Sequence, residues 1–585
     1  MSRTLLSGNE AVARGAWEAG VSVGVGYPGT PSTETLENLT RMSDVHCEWA
    51  PNEKVALEVA AGVSMGGARV LVTMKHVGMN VAADPLFTLA YTGVGGGIVI
   101  LIADDPGMHS SQNEQDSRNW GPFAHVPVLE PADSHEALEF TKSAFEISER
   151  FDVPVIVRST TRISHSKGLV EVGERVLSEA PAPFLSDPAK WVMLPSNARC
   201  RCTSLNERID RLAKWNATDG PDRVEMGSTE LGIVTSGVCY EYVREALPNA
   251  SVYKVVMSYP LNERALVEFA ASVDRLAVVE EADPYLKTHL RAMGIDVADV
   301  SVPIEGELSP AKVAAAFGGT LPSTRALIAD LPPRPPLMCP GCPHRSVFHA
   351  LRKAKAIVTG DIGCYTLGAL PPLSAMDSCV CMGAGIGMAH GMALAGQGKA
   401  GRPIVAVIGD STFAHSGITG LAHIAYNGGA GTVLILDNRI TAMTGHQGNP
   451  MMGLTLMGEQ NRQIDIEALC ASMGIDHVRT VDPHDLEAVG STIAEEIGRD
   501  QLSVIVFCAP CALLIREKEQ PYAVDEEACT ACGACIKLGC PAISKTSTGI
   551  AATDITVCVG CGDCVQVCKF DAIVPAGEAC EIGGV

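Results

Sequence analysis

Eight cysteines near the end of the chain carry spacings that leave few chemistries open. Cys529, Cys532, Cys535 and Cys540 read C-x2-C-x2-C-x4-C, with Pro541 following, and Cys558, Cys561, Cys564 and Cys568 read C-x2-C-x2-C-x3-C. Thiolate triplets with a more distant fourth suit 4Fe–4S clusters, and in two-cluster runs the fourth cysteine of each run crosses to the other cluster. On that pattern Cys529, Cys532, Cys535 and Cys568 share one cluster, and Cys558, Cys561, Cys564 and Cys540 the other. Structural zinc is the rival, and eight thiolates in two triplets without a histidine weigh against it. Clusters pass electrons one at a time, so the remainder of the chain must supply their source.

A second constellation points to a diphosphate and a divalent cation. Ile404–Ile408 reads as a buried strand leading into Gly409-Asp410-Ser411-Thr412, ahead of a glycine-rich helix at Gly417–Ala425; the next strand, Thr432–Leu436, leads into Asp437-Asn438. Ligands gather at the carboxyl ends of strands in open α/β sheets, so Asp410 and Asn438 are expected to meet there. A carboxylate and an amide oxygen are hard ligands suited to Mg2+, which shares its coordination with phosphate oxygens. Ser411 and Thr412 are small enough, just before a helix, for backbone N–H groups to approach a diphosphate. A strand-end turn plus an Asn turn is the alternative. Upstream, Glu53 opens a helix: it is either a first-turn carboxylate favoured by the helix dipole or an acid for a ring nitrogen, with Glu48 and Glu58 as rivals.

The elements that must hold these groups alternate between strand and helix. Strands are expected at Val21–Val25, Arg69–Met74, Gly97–Ala103 and Val153–Arg158, with an Asn52-capped helix through Met65 and another at His135–Arg150. Thr30 is positioned to cap a helix beginning at Pro31. Residues 185–228 show no clear periodicity. Further strands follow at Leu231–Thr235, Val252–Val256 and Leu276–Glu280, then a stiff Leu331-Pro-Pro-Arg-Pro-Pro-Leu337 linker, then strands at Ile404–Ile408, Thr432–Leu436 and Ser503–Phe507. This order implies parallel sheets with helices on both faces.

Composition bounds the function class. A formal charge of −23 without a basic face excludes nucleic acid as an expected partner. Hydrophobic content of 46% with 19% charged residues describes packed domains. The 21 cysteines favour metal and redox chemistry in a reducing compartment over a disulfide framework, and oxygen sensitivity is expected of such a protein. The first residues lack a continuous apolar core of signal-peptide length and the longest apolar run, Ile98–Ala103, is too short to span a bilayer, so a cytoplasmic location is the expectation.

Several stretches carry a family resemblance: Tyr27-Pro-Gly-Thr-Pro-Ser-Thr33, Asn52-Glu-Lys54, Thr73-Met-Lys-His-Val-Gly-Met-Asn80, Cys339-Pro-Gly-Cys-Pro-His-Arg345, Gly360-Asp-Ile-Gly-Cys-Tyr-Thr-Leu-Gly368 and Gly409-Asp-Ser-Thr-Phe413. With the terminal cysteines they resemble the thiamine-diphosphate-dependent 2-oxoacid:ferredoxin oxidoreductases, and within them the indolepyruvate alpha-subunit branch, along essentially the whole chain. The resemblance implies an α/β fold of several doubly wound parallel-sheet domains plus a C-terminal two-cluster ferredoxin-like α+β module. It places an aminopyrimidine-binding domain at 1–184, a connecting segment at 185–228, a transketolase C-terminal-like domain at 229–320, a linker at 321–337, a diphosphate-binding domain at 338–518 and the cluster module at 519–585.

It further implies that Asp410, Asn438 and the Ile440 carbonyl bind Mg2+, that Gly363, Gly383, Gly385, Gly409, Ser411 and Thr412 bind the cofactor, and that Glu53 activates its pyrimidine. Thr30 matches a threonine near the substrate. Cys339, Cys342, Cys364 and Cys511 match the ligands of a third 4Fe–4S cluster, against the alternative of buried free thiols. Two departures stand out: Cys568-Lys569 replaces the usual Cys-Pro, and no substrate-clamping arginine matches near Ala103-Asp-Asp105. Lys75, His76 and His344 are the candidates for the missing cation. The implied reaction takes an aryl pyruvate, coenzyme A and oxidised ferredoxin to aryl-acetyl-CoA, CO2 and reduced ferredoxin, in an α2β2 assembly with a smaller beta subunit. The rivals are the same chemistry on pyruvate, 2-oxoglutarate or a branched 2-oxo acid, a non-oxidative thiamine lyase, and an electron-transfer subunit without its own active site.

Overall fold

In the computed structural model, runs of β-branched residues at Val70–Lys75, Ile98–Asp104 and Val155–Thr160 form the fully buried centre of a seven-stranded sheet. Residues 2–176, 184, 186–320, 335–398 and 401–577 are described; the linker expected at 321–337 lies outside them except for 335–337. The chain divides into two compact units, Met1–Ala329 and Asp330–Val585.

In the first unit the sheet runs Met257–Tyr259, Val128–Leu129, Val155–Thr160, Ile98–Asp104, Val70–Lys75, Val23–Gly26, His46–Trp49. Its pairings are parallel apart from the edge strand Met257–Tyr259, as expected of strands linked by helical crossovers and buried on both faces. Asn52 caps the helix Glu53–Met65, accepting from the Val55 amide at 2.9 Å, a contact worth about 1 kcal/mol. The expected cap at Thr30 is not formed. The helix starts at Thr33, because the Gly29 amide bonds the Thr33 hydroxyl and the Ser32 hydroxyl bonds the Gly29 carbonyl, spending Gly29–Ser32 on a turn.

A smaller four-stranded sheet follows, ordered Leu276–Val279, Ser228–Ser236, Ala250–Val255, Arg223–Glu225. The segment expected as a connector contains a 25-residue helix, Pro195–Asp219. Its buried positions include Arg208 and Asn216 beside Leu205 and Leu212, so hydrophobic periodicity could not reveal it. Arg201 and Arg208 donate to the Tyr91 carbonyl at 2.9 and 2.7 Å, closing the open end of the helix Ala83–Thr92.

The two lobes of this unit are joined twice. Met257–Tyr259 leaves the smaller lobe to pair with Val128–Leu129 of the larger sheet. Beside it lies a buried ionic network. Arg158 donates to Asp104 at 2.7 Å and Glu130 at 2.5 Å; Arg118 holds Asp116, Glu280 at 2.8 Å and the Glu281 and Asp283 carbonyls at 3.0 Å. Burial alone would raise the Asp116 carboxyl, but Arg118 and Arg158 outweigh it and hold it at about 2.

In the second unit a five-stranded parallel sheet runs Ile357–Thr359, Ile404–Gly409, Gly431–Asp437, Leu502–Cys508, His477–Val481. Cores of Val347, Phe348, Leu434 and Phe507 on one side and Ile386, Phe413, Ile435 and Val504 on the other pack against its two faces. Beyond it, Tyr522–Val524 pairs with Ile573–Pro575 and Ile543–Lys545 with Ala551–Thr553, both antiparallel. Among the described residues no helix is long and apolar enough to cross a membrane.

Arg158→Met strands two buried carboxylates. It is expected to cost about 3–5 kcal/mol of stability in the first unit, read as a lowered denaturant midpoint; an unchanged midpoint would show that Asp104 and Glu130 do not depend on Arg158.

Candidate functional site

Asp410 stands where the strand Ile404–Gly409 becomes a helix, and the paired strand Gly431–Asp437 delivers Asp437 and Asn438 alongside it. The helical run opens at Asp410, earlier than the expected Gly417, and passes through a π-helical turn at Phe413–Gly417, a feature frequent at functional sites. Ser411 and Thr412 therefore sit in the first turn, where the Ser411 amide bonds the Asp410 carboxylate. Burial, reinforced by Asp437, pushes the Asp410 carboxyl up to about 7, although Asn449 donates to it at 2.9 Å. A buried carboxylate so placed calls for a cation. Asn438 and Ile440 complete a hard-oxygen set: the Ile440 amide bonds Asn438 Oδ1 at 3.3 Å, leaving the Ile440 carbonyl as a further acceptor. Chemically this donor set fits Mg2+.

Behind it, Asp361 accepts from the amides of Gly383 at 2.9 Å and Gly385 at 3.2 Å, and burial pushes its carboxyl up to about 6. Gly383 has φ +85° and a Cβ there would meet Ser416 Oγ at 1.9 Å, so this turn requires glycine. A Cβ on Gly363 or Gly409 would strike the Tyr365 ring, whose hydroxyl bonds the Ile362 carbonyl at 3.0 Å. His344 is buried with Nε2 3.4 Å from Asn438 Nδ2, and burial brings it down to about 4.

The first unit gathers the other candidates. Lys75 ends a strand and His76 begins the short helix His76–Val81. Gly78 lies against Glu53: a Cβ there would stand 2.5 Å from the Glu53 carboxylate. Lys75 Nζ donates to the Ser110 carbonyl and hydroxyl at 2.9 and 3.1 Å, and the Ser110 hydroxyl reaches the Thr30 carbonyl at 3.5 Å. Asp105 fixes the same loop through Ser110, Ser111 and Thr161. Burial brings Lys75 down to about 8 against the pull of Asp105; its ammonium is engaged within the protein rather than open. His76 Nε2 donates to the Asn113 carbonyl at 3.2 Å, and its buried Nδ1 has no partner among the described residues. Thr30, Lys75 and His76 thus share one loop, 105–116, which sequence reasoning did not single out.

Each terminal cysteine quartet lines one cavity. Cys529, Cys532, Cys535 and Cys568 line one; Cys540, Cys558, Cys561 and Cys564 line the other. Four thiols in each cavity, beside apolar residues such as Leu538 and Ile543 in one, suit iron–sulfur clusters. Cys339, Cys342, Cys364 and Cys511 are also near neighbours: burial and the adjacent thiols raise Cys342 to about 12 and Cys364 to about 11. Pro340 and Gly341, from this group, help line the Cys540–Cys564 cavity. Arg345 spans the join, bonding the Met338 and Cys339 carbonyls at 2.7 Å and those of Leu538 and Gly539. His484 adds a second tie, 2.8 Å from Asp563.

Sequence reasoning missed Asn449, and gave no role to Asp361, Gly78 and Arg345 although they lie within the motifs quoted above. Each acts through a neighbour distant in sequence, and none carries a spacing signal.

Residues 361–507 match the family model described as thiamine pyrophosphate enzyme, C-terminal TPP binding domain, and residues 14–190 match that of pyruvate flavodoxin/ferredoxin oxidoreductase, thiamine diP-bdg. The indolepyruvate oxidoreductase subunit IorA of Archaeoglobus fulgidus is 39% identical over 98% of this chain and 98% of its own. That of Thermococcus kodakarensis is 40% identical over 98% and 97%. Among solved structures, a 2-oxoglutarate:ferredoxin oxidoreductase from Magnetococcus marinus aligns with a TM-score of 0.46 and 16% identity over 54% of this chain and 64% of that one.

Asn449→Leu removes the donor that orients Asp410. Divalent-cation affinity, followed by Mn2+ titration, is expected to weaken about 10–100-fold; wild-type affinity would exclude that role.

Proposed function

We propose, from the premise that this chain belongs to the IorA family of thiamine-dependent 2-oxoacid:ferredoxin oxidoreductases, that it acts on aryl pyruvates. The reaction converts an aryl pyruvate and coenzyme A to aryl-acetyl-CoA and CO2, with electrons delivered to ferredoxin. The enzyme class and a partner subunit follow from the family; the substrate, Mg2+, the clusters, ferredoxin and an α2β2 assembly with a smaller beta subunit are the finer reading. The substrate reading is supported by the indolepyruvate oxidoreductase names of the relatives, and the redox reading by one observation: a buried carboxylate–amide pair suited to a metal diphosphate stands in the same unit as cysteine quartets lining discrete cavities. Bound thiamine diphosphate supplies the electron sink for decarboxylation, and clusters take the electrons singly.

The chain's own residues do the rest. Asp410, Asn438 and the Ile440 carbonyl hold the metal, and Ser411 and Thr412 receive the diphosphate. Glu53, kept in place by Gly78, engages an aminopyrimidine nitrogen. Thr30 and the loop tied by Lys75 and Asp105 shape the substrate side. Two quartets form the terminal clusters, and Cys339, Cys342, Cys364 and Cys511 a third next to the Cys540–Cys564 cavity. The domain divisions at 184, 228, 320, 337 and 518 belong to this reading. So does a cytoplasmic location, supported by the demand of free thiolates for a reducing compartment.

Asp410→Ala is expected to abolish thiamine diphosphate retention while the brown chromophore survives; retention of the coenzyme would remove the site. Anoxically purified complex should hold about eight irons per chain from two clusters, or about twelve from three, and colourless folded protein would end the redox reading. Gly78→Ala shifts Glu53 by on the order of 1 Å and should lower kcat roughly 100-fold with coenzyme content intact; full activity would free Glu53 of the assigned role.

A further inference from the structure

A hairpin at Thr441–Gln447 leaves directly from Ile440 and returns to Asn449, so both its roots lie on the metal pair. The Thr441 amide bonds the Gln447 carbonyl at 2.9 Å and the Gln447 amide the Thr441 carbonyl at 3.2 Å. One root is pinned by Thr441 Oγ1 to Ser411 Oγ at 2.8 Å, the other by Asn449 to Asp410 at 2.9 Å. The Thr444 hydroxyl and Gln447 amide bond each other's oxygens at 2.6 and 3.2 Å, stiffening the tip.

The tip then does something costly. Gly445 has φ +121°, which glycine tolerates, but His446 has φ +69°, a left-handed conformation that costs a non-glycine residue on the order of 1 kcal/mol or more. Glycine would remove that cost. The His446 imidazole is exposed and makes no hydrogen bond or ion pair among the described residues, whereas His344 and His415 nearby bond Asn438 and Ser416. Arg439, the neighbouring cation, is 3.5 Å from Asp437. Met443 stands 51% exposed on the same tip. Residues 442–446 form a turn closed by the single Thr441–Gln447 bridge, which keeps Met443 three residues from Ile440 and His446 three from Asn449 at the metal pair.

We propose that His446 contacts the 2-oxo acid, donating an imidazole N–H to its carboxylate, with the Met443 thioether set against the aryl ring. The proposal rests on the reading of an aryl-pyruvate enzyme above. It names the donor that replaces the missing arginine and explains why a left-handed position carries histidine. A stiff tip offering one N–H donor and one polarizable apolar chain matches a ligand with one carboxylate and one ring.

His446→Gly and His446→Asn in the full complex test it. For His446→Gly the thermal midpoint should equal or exceed wild type and coenzyme content should not change. Its KM for indolepyruvate should rise about 10-fold or more, the worth of one hydrogen bond to a charged group. Calorimetric binding of 3-phenylpropionate, which has the ring and carboxylate without the oxo group, should weaken by about the same factor. His446→Asn, tolerant of the left-handed region and still a donor, should recover part of both. Unchanged KM and probe affinity in His446→Gly overturn the proposal, as does a lowered midpoint or lost coenzyme accounting for the defect. A wild-type complex that turns over no 2-oxo acid would instead remove the functional reading, and the calorimetric arm would still decide the contact.

Discussion

A carboxylate buried at the end of a parallel strand must be met by a cation or a proton, and the second unit is arranged around that demand. Asp410 is placed by the strand, crowded by Asp437 and bonded by Asn449. Asp361 repeats the situation one strand away, where the amides of Gly383 and Gly385 answer it. Asp361 folds a glycine turn, Asp410 is bonded by Asn449 and the Ser411 amide, and burial raises both carboxyls.

The first unit meets a similar demand with arginine. Arg118 and Arg158 gather carboxylates from both lobes where Met257–Tyr259 crosses from one sheet's chain into the other sheet. Buried pairs of this kind add little net stability over apolar packing, yet losing one partner is severe. Their value is registration: the loop carrying Asp116 cannot slide without stranding charge. The same loop, to which Thr30, Lys75 and His76 bond, is held at its other end by Asp105 through Ser110.

Much of this was readable from the residues alone because the strongest signals are local. The strands at Val70–Lys75, Ile98–Asp104 and Gly431–Asp437 are largely apolar runs, and each cysteine triplet has a spacing that one loop must satisfy. What stayed hidden is non-local or polar. The helix Pro195–Asp219 buries Arg208 and Asn216, so no apolar stripe announces it. Thr30 met every local rule for a cap, and the bonds among Gly29, Ser32 and Thr33 overrode them. Asn449 and Gly78 matter only through Asp410 and Glu53, distant in sequence, and a strained φ such as that of His446 leaves no mark on composition.

Arg345 ties the carbonyls of Met338 and Cys339 to those of Leu538 and Gly539 with one guanidinium. Four acceptors on a rigid fork leave neither segment a hinge. The Leu538–Gly539 segment and the Met338–Cys339 segment therefore move as a single piece.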